Sequence, residues 1–203
     1  SLKTFREMLA EVGRVHSVRV ECQSYLPDWH PGRPYKESYS AGVQGGVLRD
    51  LIHEIDYTCW IFGWPDSLQS KLRNLGRLGI AADEIADLTW EIPDGPVISM
   101  TLDYLTRPTR RRMVASGGSG TLEWNGVDGT VTLSVRHEPA RIIRSVETRD
   151  RILRKQDQAF IGDDRSTADP RLATAADGVR ALSVCDAVRR ASESRREEAV
   201  NYE

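Results

Sequence analysis

The chain has 203 residues, 39% of them hydrophobic and 29% charged, which suits one globular domain with a sizeable core. A net charge of −2 leaves no basic field for nucleic acid or an anionic membrane surface, and neither is expected as a partner. No apolar run approaches the ~18 residues of a membrane span. Cys22, Cys59 and Cys185 are odd in number, far apart and set in apolar patterns, so they read as small hydrophobes of a reduced, cytoplasmic protein rather than disulfides or zinc ligands.

In chain order, Leu2, Phe5, Met8 and Leu9 recur at helical spacing over residues 2–11, and Gly13 supplies the stop. The chain enters this helix with no Met and no leader, as if cut from something longer. Val18, Val20 and Cys22 alternate with polar residues in a half-buried strand. Leu26 to Gly42 is rich in Pro, Gly and Tyr and predicts a long loop of the kind that carries function. A strong helix is predicted over Gly45–Phe62. Leu88, Trp90 and Ile92, the turn Pro93-Asp94-Gly95-Pro96, and Ile98, Met100, Leu102 and Tyr104 then spell a β-hairpin. Further strands are predicted around 110–116, 121–125 and 129–136. The run Arg110-Arg111-Arg112 reads as a solvated or substrate-side strand end. Ile152, Leu153, Gln156 and Phe160 mark a helix ending at Gly162. Ala181, Leu182, Cys185 and Val188 mark a longer one starting near Thr174, before a tail that frays or ends in a short edge strand. A strand meander between groups of helices predicts an α+β fold: an open, mixed, mostly antiparallel sheet with helices packed on one face.

No GxGxxG follows a strand, and Ser116-Gly117-Gly118-Ser119-Gly120 joins two strands as a turn. No dinucleotide is expected on this chain by itself.

The chemistry concentrates in the helix from Gly45. Val47, Leu48, Leu51, Ile52, Ile55, Cys59 and Phe62 fill an arc of about 140°. His53 falls about 170° from its centre, with Asp50 and Asp56 roughly 60° to either side. Such a face is ordinarily the solvated side of an amphipathic helix. Tyr57 and Trp60 share it, however, and Gly45-Gly46 permits a close approach at its start, both of which favour a cleft. A His beside carboxylates suits proton transfer. A metal held by Asp50, His53 and Asp56, completed by His30, is the rival, disfavoured by the spread of the three over about 120°; no metal is assigned.

GG-V-L-R-D-L-I-H-E-I-D-Y resembles the Gly-Gly/Asp/His/Asp helix of Gfo/Idh/MocA oxidoreductases. LPDWHPGRPYKESYSA resembles the substrate loop of a subgroup with sugar or sialic-acid-like substrates. YLTRPTRRR and SGGSGTLEWNG are similar to the family's sheet, and DGVRALSVCDAVRRASES to its closing helix. The resemblance implies that residues 1–203 form a substrate-binding and oligomerisation domain whose N-terminal Rossmann partner lies outside this chain. That partner would carry NAD or NADP and a lysine that none of Lys3, Lys36, Lys71 and Lys155 matches in context. It further implies an oxidoreductase acting on the CH–OH of a sugar, inactive as this chain alone, and a homodimer or tetramer built through the sheet face. His53 would be the acid/base and Asp50 its orienting or substrate-binding partner. Trp29, His30, Arg33, Tyr35, Tyr39 and Asp56 would contact substrate, although Trp29 and Tyr35 suit pinning the loop equally well. Asp50 and His53 stand three apart where the family often has four, and Gln44 stands where a third glycine is common. The alternative is a non-catalytic sugar-binding or dimerisation module without a nucleotide domain; a metal-dependent lyase or hydrolase is a third reading.

Overall fold

The computed structural model describes residues 1–161 and 172–202. Helix α1 (Leu2–Met8) tightens into a 3-10 turn through Val12 and stops at Gly13, whose φ of 73° needs a residue without a Cβ. Strand β1 (Val15–Gln23) follows, then the loop from Leu26, which is three separate 3-10 turns rather than coil.

The predicted helix of Gly45–Phe62 is two pieces, α2 (Val47–Asp50) and α3 (Ile52–Phe62), broken at Leu51 with φ −99° and ψ 23°. Gly46 enters with φ 88°, where a Cβ would meet the Asp83 carboxylate at 2.5 Å. That carboxylate accepts from the Leu48 N–H at 3.0 Å and so satisfies an orphan donor of the first turn. Gly45 is pressed equally hard, its missing Cβ standing 2.1 Å from the Tyr39 carbonyl oxygen. The glycine pair therefore admits another stretch of backbone and a carboxylate.

Strands β2 (Ser67–Arg73), β3 (Ile85–Glu91), β4 (Val97–Asp103), β5 (Arg110–Gly117), β6 (Gly120–Asn125), β7 (Thr130–Val135) and β8 (Arg141–Arg144) come next. β2 and β8 were not expected. Helix α4 (Arg149–Ile161) leads out of the sheet, and its expected end at Gly162 lies outside the described residues. Helix α5 (Ala175–Ser194) starts at a complete capping box in which Thr174 and Asp177 serve each other's backbone N–H groups. The tail ends in β9 (Glu198–Ala199), an edge strand on β2.

The described residues form one nine-stranded sheet in the order β8-β7-β6-β5-β1-β4-β3-β2-β9. Only β1 and β4 run parallel; every other pair is antiparallel. Inward residues such as Val18, Val20, Leu88, Trp90, Ile98, Met100, Met113 and Leu122 meet the apolar faces of α1, α2, α3 and α5 in one core. The other face stays open and polar, with cross-strand ion pairs Arg112–Glu21 and Arg73–Asp87. The fold is the expected α+β arrangement, an open mixed sheet with its helices on one side. Among the described residues no helix is long and apolar enough to cross a membrane.

Candidate active site

The outer face of α3 carries His53, whose side chain is 49% exposed. The next residue, Glu54, is wholly buried, an unusual place for a carboxylate. It is buried because it lies only about 20° beyond the edge of the helix's apolar arc, on the side of Thr58, which is buried too. Three groups meet it. Arg111 Nη2 stands 2.8 Å from its Oε1, His53 Nε2 stands 3.1 Å from the same oxygen, and the Tyr57 hydroxyl donates to Oε2. A charge without water needs such company.

Arg111 reaches this point through strand parity. It shares its side of β5 with Met113 and Ala115 and so faces the helices, between the rings of Tyr57 and Trp124 at 5.8 and 5.6 Å. Arg112, on the opposite side, pairs with Glu21 on the open face. The basic run therefore divides between the two faces, and its middle member is no solvated strand end. Burial and the neighbouring Glu54 push the Tyr57 hydroxyl far above its ordinary range. Burial first, and then the Glu54 charge, push the Cys22 thiol up to about 12.

Asp50 takes a different part. Its Oδ2 accepts from the Ser40 hydroxyl at 2.5 Å and from the buried Tyr104 hydroxyl at 2.8 Å, which ties the loop to the end of α2. Ser40 also lines a cavity of about 380 Å³ with Leu26, His30, Arg33, Tyr35 and Glu37. Three of the five loop residues singled out by sequence thus share one hollow, one hydroxyl away from Asp50. Within it the Tyr35 hydroxyl donates to the Leu78 carbonyl at 2.9 Å. Trp29 lies outside: its N–H donates to Ser24 Oγ at 2.8 Å and its ring packs edge-on to Tyr104, as in the pinning alternative. Tyr39 is largely exposed, its hydroxyl donating to the Gln44 carbonyl.

Asp56 points to a second hollow of about 280 Å³, walled by Tyr57, Trp60 and Trp64 and sharing Asp177. Burial, then the charge of Asp177, raise its carboxyl above the ordinary range, against a smaller lowering by His53. Trp60 keeps its exposed ring under the Arg6 guanidinium at 4.2 Å. His53 lines neither hollow. Among the described residues no three His, Cys, Asp or Glu side chains gather as metal donors. Sequence reasoning passed over Glu54, Arg111, Tyr104 and Ser40. Wheel position for Glu54 and strand parity for Arg111 and Tyr104 were the signals that point to them.

A family model described as the GFO/IDH/MocA C-terminal domain matches residues 2–123. Among similar solved structures, levoglucosan dehydrogenase in complex with NADH has a TM-score of 0.76 at 15% identity, over 97% of this chain and 62% of its own. An NAD binding oxidoreductase from Klebsiella pneumoniae gives 0.77 at 14%, over 98% and 63%. An oxidoreductase from Agrobacterium radiobacter in complex with NAD+, L-tartaric acid and magnesium gives 0.72 at 17%, over 98% and 61%. These likenesses carry the fold, and the chain spans less than two thirds of each of those proteins. No curated protein matches the chain. With more than half of its residues under the family model and the nine-stranded fold shared over nearly its whole length, the chain belongs to the GFO/IDH/MocA C-terminal domain family.

Proposed function

We propose that this domain is the substrate-binding and proton-handling half of an NAD(P)-dependent oxidoreductase acting on a CH–OH group of a sugar or sugar derivative. The observation that carries this reading is His53: a half-exposed imidazole with one nitrogen against a buried carboxylate that Arg111 neutralises. A ring so placed can take the proton of a substrate hydroxyl and hold the resulting charge. The loop hollow with His30, Arg33 and Tyr35 is the sugar subsite, joined to α2 through Ser40 and Asp50. Asp56 and Tyr39 are the outer substrate contacts, while Trp29 pins the loop. Sugars are in keeping with neighbours of the same fold described in complex with NADH and levoglucosan or L-sorbose.

The described residues do not fit a dinucleotide. The one glycine-rich run closes the turn from β5 to β6, precedes no helix, and offers no anion cradle to a pyrophosphate. NAD or NADP therefore belongs to a Rossmann domain outside residues 1–203, and this chain alone is inactive. Self-association uses the open sheet face, as a dimer or tetramer, and the three free, buried cysteines support a cytoplasmic setting. A sugar-binding or dimerisation module without catalysis is the second reading, favoured by the position of His53 outside the loop hollow. The test joins the chain to a Rossmann domain and follows NAD(P) reduction with levoglucosan and other sugars. Turnover in the joined protein and none in the chain alone are expected; sugar binding without turnover in the joined protein establishes the second reading.

A further inference from the structure

We propose that Glu54, not Asp50, is the positioning residue of His53, and that His53 exchanges its proton with substrate through Nδ1. This rests on the reading of His53 as the acid/base and names the groups that prepare it.

A neutral imidazole has one N–H and one lone pair, and an ionised carboxylate only accepts. Of the two ring nitrogens, Nε2 is the one 3.1 Å from Glu54 Oε1. No N–H is aimed at Oε1 in hydrogen-bond geometry, but a ring lone pair facing a carboxylate oxygen at 3.1 Å is repelled, so the proton belongs on Nε2 and the lone pair is left on Nδ1. Among the described residues Nδ1 meets no partner, and half of the side chain stands in solvent, open to a ligand. Glu54 is held from three directions: by its own buried place on α3, by Arg111 from β5 and by the Tyr57 hydroxyl one turn on. The Arg111 guanidinium 2.8 Å from Oε1 balances the carboxylate's charge away from water, so that the pair is close to neutral until the ring gains a proton. When a hydroxyl donates to Nδ1, the O–H bond breaks and an Nδ1–H bond forms. The imidazolium so made has its other N–H against Glu54.

The other two acids on this face cannot take that place. Asp50 Oδ2 already accepts two hydroxyls, from Ser40 and Tyr104. Asp56 attracts His53 electrostatically but makes no ion pair with it within 4.0 Å. The charge of Asp177, across the second hollow, acts on it more strongly than that of His53.

The experiment needs neither substrate nor nucleotide. The chain is labelled with ¹⁵N-histidine, and ring ¹⁵N–¹H correlations are recorded at a pH where the rings are neutral. The four histidines are His16, His30, His53 and His137, and loss of signals in His53→Asn identifies the ring of interest. His53 is expected as the Nε2–H tautomer alone in the wild type and as an averaged mixture in Glu54→Gln. Should Glu54→Gln fail to fold, Glu54→Asp keeps a charge facing Arg111 while drawing it back by one methylene, and is expected to give the same mixture. Tyr57→Phe removes the hydroxyl on Oε2 and is expected to lower stability with the tautomer unchanged. An Nδ1–H ring in the wild type overturns the proposal. So does an unchanged His53 in the folded Glu54 variant, or a Tyr57→Phe spectrum that moves as far as the Glu54 one. Turnover by a His53 variant of the joined enzyme bears on the acid/base reading alone, so the two failures are told apart.

Discussion

At Glu54 a carboxylate gives up all its water, and the desolvation cost is offset by one guanidinium, one hydroxyl and the edge of one imidazole. Removing the cation leaves that charge stranded. Arg111→Met is expected to lower unfolding free energy by about 3 kcal/mol, at the low end for breaking a buried pair because Arg111 keeps 35% of its side chain in water. Denaturant titration reads it, and a loss under about 1 kcal/mol would mean that the pair is screened like a surface one. The cysteines give a second expectation. Burial holds the Cys22 and Cys185 thiols up at about 12, from an ordinary 9.0. Both are therefore expected to resist iodoacetamide at pH 8 until the chain unfolds. The sign follows: a thiol raised on folding favours the native state below pH 9, and that contribution is lost as pH climbs from 9 toward 12. Alkaline unfolding begins in that window; a midpoint stability flat from pH 8 to 11 contradicts it. At this scale His53 was legible because helical period alone puts it opposite Val47, Leu51 and Ile55. Glu54 was missed because its type suggests solvent, while its place near the arc edge decides its burial.

Elements show where local rules suffice. Period two located β1 and the β3–β4 hairpin, and helical spacing placed the start of α5 near Thr174, because in each the signal is written within a few residues. β2 and β8 left weaker marks. β2 fully buries only Leu68, and β8 buries nothing, so neither shows clear alternation. The break at Leu51 comes from tertiary demand: Asp83 fixes the start of α2 while α3 must lay Ile55 and Cys59 on the core. Gly46→Ala forces a Cβ into the Asp83 carboxylate at positive φ. It is expected to cost about 2 kcal/mol or more, a fall in Tm of about 4–8 °C for a chain this size. A Tm within about 1 °C of wild type shows instead that the turn can shift. Thr174→Ala removes one side of the capping box and is expected to cost about 1 kcal/mol.

The whole molecule is an asymmetric layer, one sheet face sealed by helices and the other left polar. The parallel pairing of β1 with β4 brings together segments 80 residues apart, and no local pattern foretells it. If copies associate through the open face, Ser99→Arg, on central β4, is expected to convert oligomer to monomer in sedimentation with Tm unchanged. An unaltered oligomer moves the interface elsewhere. The loop hollow, the buried Glu54–Arg111 pair and His53 gather the proposed chemistry on the loop from Leu26, the α2–α3 segment that follows it, and one residue of β5. Its direct test is His53→Asn in the chain joined to its nucleotide-binding domain, with sugar oxidation and NAD(H) binding measured side by side. A fall in kcat/KM of about 10²–10⁴ with nucleotide affinity unchanged is the expected result; turnover within a few-fold of wild type contradicts a proton-handling role for this imidazole.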